Sequence, residues 1–380
     1  MHLKHTADRT DIGRQRDHNE DAYLVQAELG LLAVADGMGG LEHGEVASAT
    51  AIGTLQAARS ILEEFVSRVD ASPLRASRAA LGSALEQISE VASTRIQQAV
   101  KGANSGTTLV VGVIAGGHLL VANTGDSRAY LFRQGRARCL TDDHTVAAAR
   151  LRAGLISQEE HDRSPYQHML YQALGTTGEL DPDLFDEPLA DGDIVLLCSD
   201  GLTGPVSPTE LDSLLRDEPD LDRLAQQLID RANANGGPDN ITVCLARVDG
   251  GPSAEDLERD RATFKQAGIT SALESVDLRL VRHFFDHRAL VEGEDLPLDD
   301  GMHVLLTGEV ERGGQRFGPG RALGIGALVT ELEQPSARVL SSGSSLWMSS
   351  DSYEQLERRR PRTAARLARG LLVELASKQT

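Results

Sequence analysis

Residues 105–140 read SGTTLVVGVIAGGHLLVANTGDSRAYLFRQGRARCL. Four short segments in it, 107–114, 118–123, 128–133 and 137–140, are strand-like runs, and Gly116-Gly117, Gly125-Asp126 and Gln134-Gly135 separate them. β-Branched and aromatic side chains fit a pleated surface, and Gly and Asp supply the backbone conformations that reverse a strand. The stretch therefore predicts a meander of antiparallel hairpins. On its N-terminal side, 42–66 and 73–100 are Ala-rich, and Leu81, Ala84, Leu85, Ile88, Val91 and Ala92 fall on one helical face. Further out, Leu31-Leu32-Ala33-Val34-Ala35 and Ile194-Val195-Leu196-Leu197-Cys198 run into Asp-Gly or Ser-Asp-Gly, which places carboxylates at strand ends. Residues 211–232 read as one or two helices and 240–248 as a closing strand. Helices and antiparallel strands in separate runs predict an α+β layered fold.

The 380 residues are enough for two cores. The turn-forming Asp249-Gly250-Gly251-Pro252-Ser253 and the charge-dense 255–261 mark a linker. This gives a first domain over 1–248, a linker over 249–262 and a second domain over 263–380. The second reads as a helix over 271–285, glycine-punctuated short strands over 289–348 and a helix opened by Pro361. Lys plus Arg total 38 against 57 Asp plus Glu, and the net charge of −19 excludes general phosphate-backbone binding, so no nucleic-acid partner is expected. Cys139, Cys198 and Cys244 are too few and too scattered for a disulfide scaffold or a thiolate zinc site and read as small buried hydrophobes. The N-terminus lacks the apolar core of a signal peptide, and the longest apolar stretch, 107–122, is too short and too broken to span a membrane. A soluble cytoplasmic protein is expected.

Six carboxylates are each attached to a turn or strand end: Glu20, Asp21, Asp36, Asp126, Asp200 and Asp239. One Asp-Gly is an ordinary turn. Several brought to one rim could not all be buried ionised without cations, and oxygen-only donors select Mg²⁺ or Mn²⁺ over zinc or copper. A hydrolytic two-metal site is the resulting expectation. Gly37 fits it, because without a Cβ its carbonyl can approach an ion.

The ordered motifs Arg16-Asp17-His18-Asn19-Glu20-Asp21, Asp36-Gly37-Met38-Gly39-Gly40, Gly44-Glu45, Gly106-Thr107-Thr108, Gly125-Asp126-Ser127-Arg128, Asp143-His144-Thr145, Ala173-Leu174-Gly175, Ser199-Asp200-Gly201-Leu202 and Asp239-Asn240 closely resemble the bacterial branch of the PP2C-type (PPM) metal-dependent serine/threonine protein phosphatases. The resemblance covers residues 6–248. It implies a β-sandwich flanked by helices with a dinuclear Mn²⁺ or Mg²⁺ centre at one end. It further implies that Asp36 bridges two metals, that Asp200 and Asp239 complete the first, and that the Gly37 carbonyl reaches the second. Glu20 acts through metal-bound water, Asp21 supports it from behind, Arg16 holds the substrate phosphate, and Asp126 with Asp200 holds a third, weaker ion. The implied reaction is in-line attack on phosphoserine or phosphothreonine by a metal-bridged hydroxide, which two cations make available near neutral pH. Met38 stands where the animal branch has a histidine, so the general acid is unassigned, with metal-bound water as the first choice. His18, His43 and His144 near the motifs read as ordinary surface or core histidines. Residues 150–177 match the flap insertion of bacterial relatives, with 157–167 as its exposed part.

From residue 264 onward, Val291-Glu292-Gly293-Glu294, Leu305-Leu306-Thr307-Gly308-Glu309-Val310, Phe317-Gly318-Pro319-Gly320 and Gly324-Ile325-Gly326-Ala327-Leu328 resemble a cyclic-nucleotide-binding β-roll. The cassette is degenerate: Ile325 replaces the glutamate that binds ribose, the phosphate arginine expected at or just after Pro335 finds Ser336, and Arg338, three residues beyond Pro335, is out of register by an odd step. The module is therefore expected to be regulatory or partner-binding, with no nucleotide cofactor. Arg358, Arg359, Arg360, Arg362, Arg366 and Arg369 read as a solvated basic face. Leu367, Leu371, Leu372 and Leu375 form an apolar stripe that packs on the roll, the first domain or a second chain as a homodimer. The partners implied are phosphoserine and phosphothreonine proteins made by a bacterial kinase. The alternatives are a phosphatase gated by cyclic nucleotide and a catalytically silent phosphoprotein-binding scaffold.

Overall fold

Successive side chains of a strand point to opposite sides, so a strand apolar at every position needs a core on each face. The run 31–35 meets that condition, as the computed structural model shows. It describes residues 2–39, 43–100, 105–178, 180–282, 284–329 and 335–376, so Gly40 of the Asp36 motif and Glu42 of the expected first helix lie outside the described residues. The chain forms two compact units, Met1–Ala254 and Glu255–Thr380.

The first unit begins with β1 (His2–Asp11), β2 (Asp21–Gln26) and β3 (Leu31–Met38), followed by α1 (His43–Ala57), α2 (Arg59–Ala71) and α3 (Arg75–Ala99). Strands β4 (Gly106–Thr107), β5 (Leu109–Ala115), β6 (His118–Thr124), β7 (Arg128–Arg133) and β8 (Arg136–Cys139) come next, then short helices α4 (Val146–Arg152) and α5 (Gln158–Asp162). It closes with β9 (Asp183–Pro188), β10 (Ile194–Cys198), α6 (Asp200–Thr203), α7 (Pro208–Asp217), α8 (Leu221–Ala234) and β11 (Ile241–Asp249). One sheet runs β2-β3-β5-β6-β9, with β4 pairing β3, and the other runs β1-β11-β10-β7-β8. Leu31, Ala33 and Ala35 pack with Leu55, Leu81, Leu85 and Ile96 of the helices, whereas Leu32 and Val34 pack with Leu131, Val195, Leu197 and Cys244 of the other sheet. On β11 the same alternation sends Ile241, Val243 and Leu245 to Leu224 and Leu228 of α8, and Cys244 and Ala246 inward. The order is helices, sheet, sheet, helices.

Four expectations need correcting here. The supposed meander is two hairpins in different sheets: β5–β6 lies in one, β7–β8 in the other, and the chain crosses between them at Gly125-Asp126-Ser127. Gly125 has φ of 109° and a Cβ there would sit 2.6 Å from the Thr108 side chain, so the turn is a crossing built for glycine. The expected helix over 42–66 is interrupted at Ala58, and Val91 on α3 is exposed while Leu81, Leu85, Ile88 and Ala92 are buried. Cys139 is exposed, unlike buried Cys198 and Cys244.

The second unit contains α9 (Ala254–Gln266), α10 (Ser275–Arg282), β12 (Asp286–Leu290), β13 (Asp295–Leu296), β14 (Gly301–Arg312), β15 (Gln315–Phe317), β16 (Ala322–Leu323), α11 (Ile325–Val329), β17 (Ala337–Ser349), α12 (Ser350–Arg359) and α13 (Pro361–Ala376). Its sheet runs β12-β17-β14-β15, with β13 on β17 and β16 on β14. One face packs Met302, Val304, Leu346 and Met348 against Phe264, Phe285, Leu367 and Leu371, and the other gathers Leu298, Leu305, Val310, Leu323 and Val339. The charged part of the expected linker is helical: α9 exposes Glu255, Glu258, Arg259 and Arg261 and buries Phe264 in this core. Asp277 of α10 accepts from Thr363 Oγ1 at 2.7 Å and pairs with Arg366, which fixes α10 to α13. Among the described residues no helix is long and apolar enough to cross a membrane.

Candidate active site

Asp21 opens β2 and lies directly opposite Asp36 of β3 in the ladder. Asp200 opens α6 immediately after β10, Asp239 precedes β11, and Asp126 occupies the crossing between the sheets. The sheets are laced together at this end. Ser199 Oγ and Thr242 Oγ1, from the β10–β11 side, donate to Asp21 Oδ2 at 2.8 and 2.6 Å. The other oxygen, Asp21 Oδ1, is buried and accepts no hydrogen bond.

The electrostatics follow from this crowding. Burial, then the charges of Asp21, Asp200, Asp126 and Asp239, push the Asp36 carboxyl well above the ordinary carboxylate range. Burial lifts Asp21 to about 7 against the opposing hydrogen bonds from Thr242 and Ser199, and burial followed by Asp200 lifts Asp126 to about 7. Such a cluster is held ionised only when cations neutralise it. The donor set, carboxylates around an orphaned buried oxygen, fits hard divalent ions.

Close backbone approach shapes the site. Gly37 N–H donates to the Glu20 carbonyl at 3.1 Å, and Ser48 Oγ donates to the same oxygen at 2.6 Å. A Cβ on Gly37 would lie 2.3 Å from the Gly44 carbonyl oxygen, and one on Gly44 would lie 2.7 Å from Glu20 Oε1. Asn240 orders the loop before β2: it accepts from Glu20 N–H at 2.8 Å and donates to the carbonyls of Ile12 and His18 at 2.9 and 3.0 Å. Glu20 is buried, with His18 Nε2 3.3 Å from its Oε1. Arg16 is half exposed and donates to Asp239 Oδ2 at 2.6 Å. All the carboxylates singled out from the sequence thus come to one end of the sandwich, with Arg16 at its edge.

Sequence reasoning passed over His168. Its Nδ1 lies 3.5 Å from Asp200 Oδ2, and one donor atom each from Asp126, His168 and Asp200 lie within 4.8 Å of one another. The hydrogen bond to Asp200 raises the His168 pKa, against burial. The available signal was its place inside the expected flap. That segment leaves and returns through the Thr145–Leu170 bridge and exposes Leu155, Tyr166, Met169 and Tyr171.

The family profile described as Protein phosphatase 2C matches residues 12–150. The serine/threonine phosphatase stp of Listeria monocytogenes is 36% identical over 248 residues, which is 64% of this chain and 96% of that protein. This chain belongs to the protein phosphatase 2C family. The crystal structure of the Mycobacterium tuberculosis serine/threonine phosphatase PstP/Ppp superposes with a TM-score of 0.56 at 34% identity, covering 65% of this chain and 99% of that one. The catalytic domain of PstP in complex with 2 manganese ions gives a TM-score of 0.52 at 34% identity, covering 65% and 98%. The α+β architecture is the PP2C-like one, and the enzyme is a metal-dependent serine/threonine protein phosphatase.

Proposed function

We propose that the carboxylate cluster is where phosphoserine and phosphothreonine are hydrolysed, using two core Mn²⁺ or Mg²⁺ ions. In this reading Asp36, Asp200, Asp239 and the Gly37 carbonyl would hold the two core ions, with Asp36 the ligand common to both. Glu20 would act through water, Asp21 would steady the cluster from behind, and Asp126, Asp200 and His168, whose donor atoms lie within 4.8 Å of one another, would hold a third ion. The observation that carries the reading is the burial of Asp21, Asp36 and Asp126 against one another, with carboxyls displaced upward. Bound divalent cations supply an activated water and neutralise charge on the phosphoryl oxygens. Arg16, at the exposed edge, can give a phosphate two parallel hydrogen bonds. Ser199 and Thr242 hold Asp21 in place from the opposite sheet.

The second unit fits a cyclic-nucleotide-binding-like β-roll turned to regulation or partner binding. Ile325, where a ribose-binding glutamate would stand, is packed in the apolar core, and Arg338 is paired with Asp295 at 3.3 Å. Both facts weigh against gating by cyclic nucleotide, and the full set of candidate ligands weighs against a silent scaffold. Leu372 and Val373, exposed on α13, offer a surface for a second copy. In this reading the enzyme works in the cytoplasm opposite a bacterial serine/threonine kinase.

The test is release of phosphate from a phosphothreonine peptide by enzyme stripped with chelator. Activity should vanish, return with Mn²⁺, and stay lost in Asp36→Ala and Asp239→Ala. Asp126→Ala should lower turnover while two ions remain bound by calorimetry. Full activity of the Asp36 variant in chelator would sink the assignment.

A further inference from the structure

We infer that His144 is a positioning residue that fastens the flap to the turn carrying Asp126. The inference rests on the reading of Asp126, Asp200 and His168 as a cation site. His144 is buried in the loop between β8 and α4. Its Nε2 lies 3.0 Å from Asp183 Oδ2. An ionised carboxylate only accepts, so the ring proton sits on Nε2, and Nδ1 keeps its lone pair for the N–H of Gly125 at 3.2 Å. The Gln172 amide approaches the same nitrogen at 3.2 Å. The main chain repeats the grip: His144 N–H donates to the Gly125 carbonyl at 3.0 Å, and Tyr171 N–H donates to the His144 carbonyl at 2.9 Å. The Tyr171 ring lies 5.3 Å from the imidazole, centroid to centroid.

One residue therefore holds both the glycine just before Asp126 and the base of the flap. The next residue, Thr145, bridges Leu170, and Val146 N–H donates to the Met169 carbonyl at 2.8 Å, so both flap legs start at His144. His168 hangs from the returning leg with Nδ1 3.5 Å from Asp200. On the other side, Arg128 clamps Asp143 with two bonds of 2.8 and 2.7 Å, so Asp143 and His144 grip residues 125–128 from both ends. Displacing the flap base displaces the Asp126 turn.

Two isosteres separate this role from simple core filling. In His144→Asn the amide oxygen can take the place of Nδ1 and accept from Gly125. In His144→Gln the amide nitrogen can reach Asp183, but Gly125 loses its acceptor. His144→Gln should lower kcat about tenfold, the scale of one buried hydrogen bond, whereas His144→Asn should recover most of it. Hydrogen exchange at 145–170, measured on the full chain in chelator, should quicken in the Gln variant and not in the Asn variant. Asp183→Asn, which keeps the imidazole but frees its tautomer, should behave like His144→Gln if the direct variants fold poorly. Adding His144→Gln to Asp126→Ala should lower turnover little further. Equal losses in Asn and Gln variants with unchanged flap exchange would overturn the inference. The expected exchange pattern with undiminished turnover in Asp126→Ala would uphold the fastening and refute the cation reading beneath it.

Discussion

Gly37→Ala tests whether close approach of β3 to α1 places Asp36. The added Cβ would stand 2.3 Å from the Gly44 carbonyl oxygen and 2.5 Å from that of Glu20. Carbon and oxygen in contact are normally about 3.3 Å apart or more, so the backbones must separate by about 1 Å. Both obstacles are main chain, so no side-chain rotation relieves them. Overpacking of this kind costs about 1–3 kcal/mol, and a shift of about 1 Å in a catalytic group costs about a hundredfold in rate. Gly53→Ala on α1 is the control, because nothing lies within 4 Å of its added Cβ. It should stabilise the protein by about 0.5–1 kcal/mol and leave turnover alone. Phosphate release from a phosphothreonine peptide and urea melts of both variants give the comparison. If Gly37→Ala keeps kcat/KM within about threefold of the parent and melts normally, the steric argument for the Asp36 position is wrong.

Two further outcomes concern the second unit. Burial and then the charge of Arg288 push His303 down to about 3 from 6.5, so the unfolded chain takes up the proton first. The unit should therefore lose up to about 1.4 kcal/mol per pH unit as pH falls from 6.5 toward 3. The single tryptophan, Trp347, lies opposite His303 and reports the transition by fluorescence; an unmoved acid midpoint in His303→Gln would contradict this. Calorimetry with cyclic AMP and cyclic GMP should show no micromolar binding, since loss of the ribose and phosphate contacts weakens affinity about a hundredfold or more.

The candidate site was legible because its chemistry sits in compact motifs: Asp36, Asp126, Asp200 and Asp239 each adjoin a glycine or proline visible in the sequence, and Glu20 and Asp21 stand side by side at the start of a strand. Which strands share a sheet was less so. A Gly-Asp turn between two β-rich runs looks the same whether it closes a hairpin or carries the chain across a sandwich, and only packing tells β6–β7 from β5–β6. Helix α9 was read as linker because charge density masks a single buried Phe264. His168 carries no local signature, since its partner Asp200 lies 32 residues away and meets it only through the flap, and the motif that holds His144 gives no hint of its partner Gly125, 19 residues away.

Asp21 and Asp36 belong to one sheet, and Asp200 and Asp239 border strands of the other. Like charges thus face each other across the seam that the inner core closes. A divalent cation held at that seam would be a rivet as well as a reagent, because anything bound only by the assembled pair of sheets favours the assembled form. Enzyme stripped of the ion is therefore expected to melt earlier than the loaded enzyme and to be cut sooner by added protease near Asp239. On that expectation, cation supply would set the lifetime of the molecule as well as its rate.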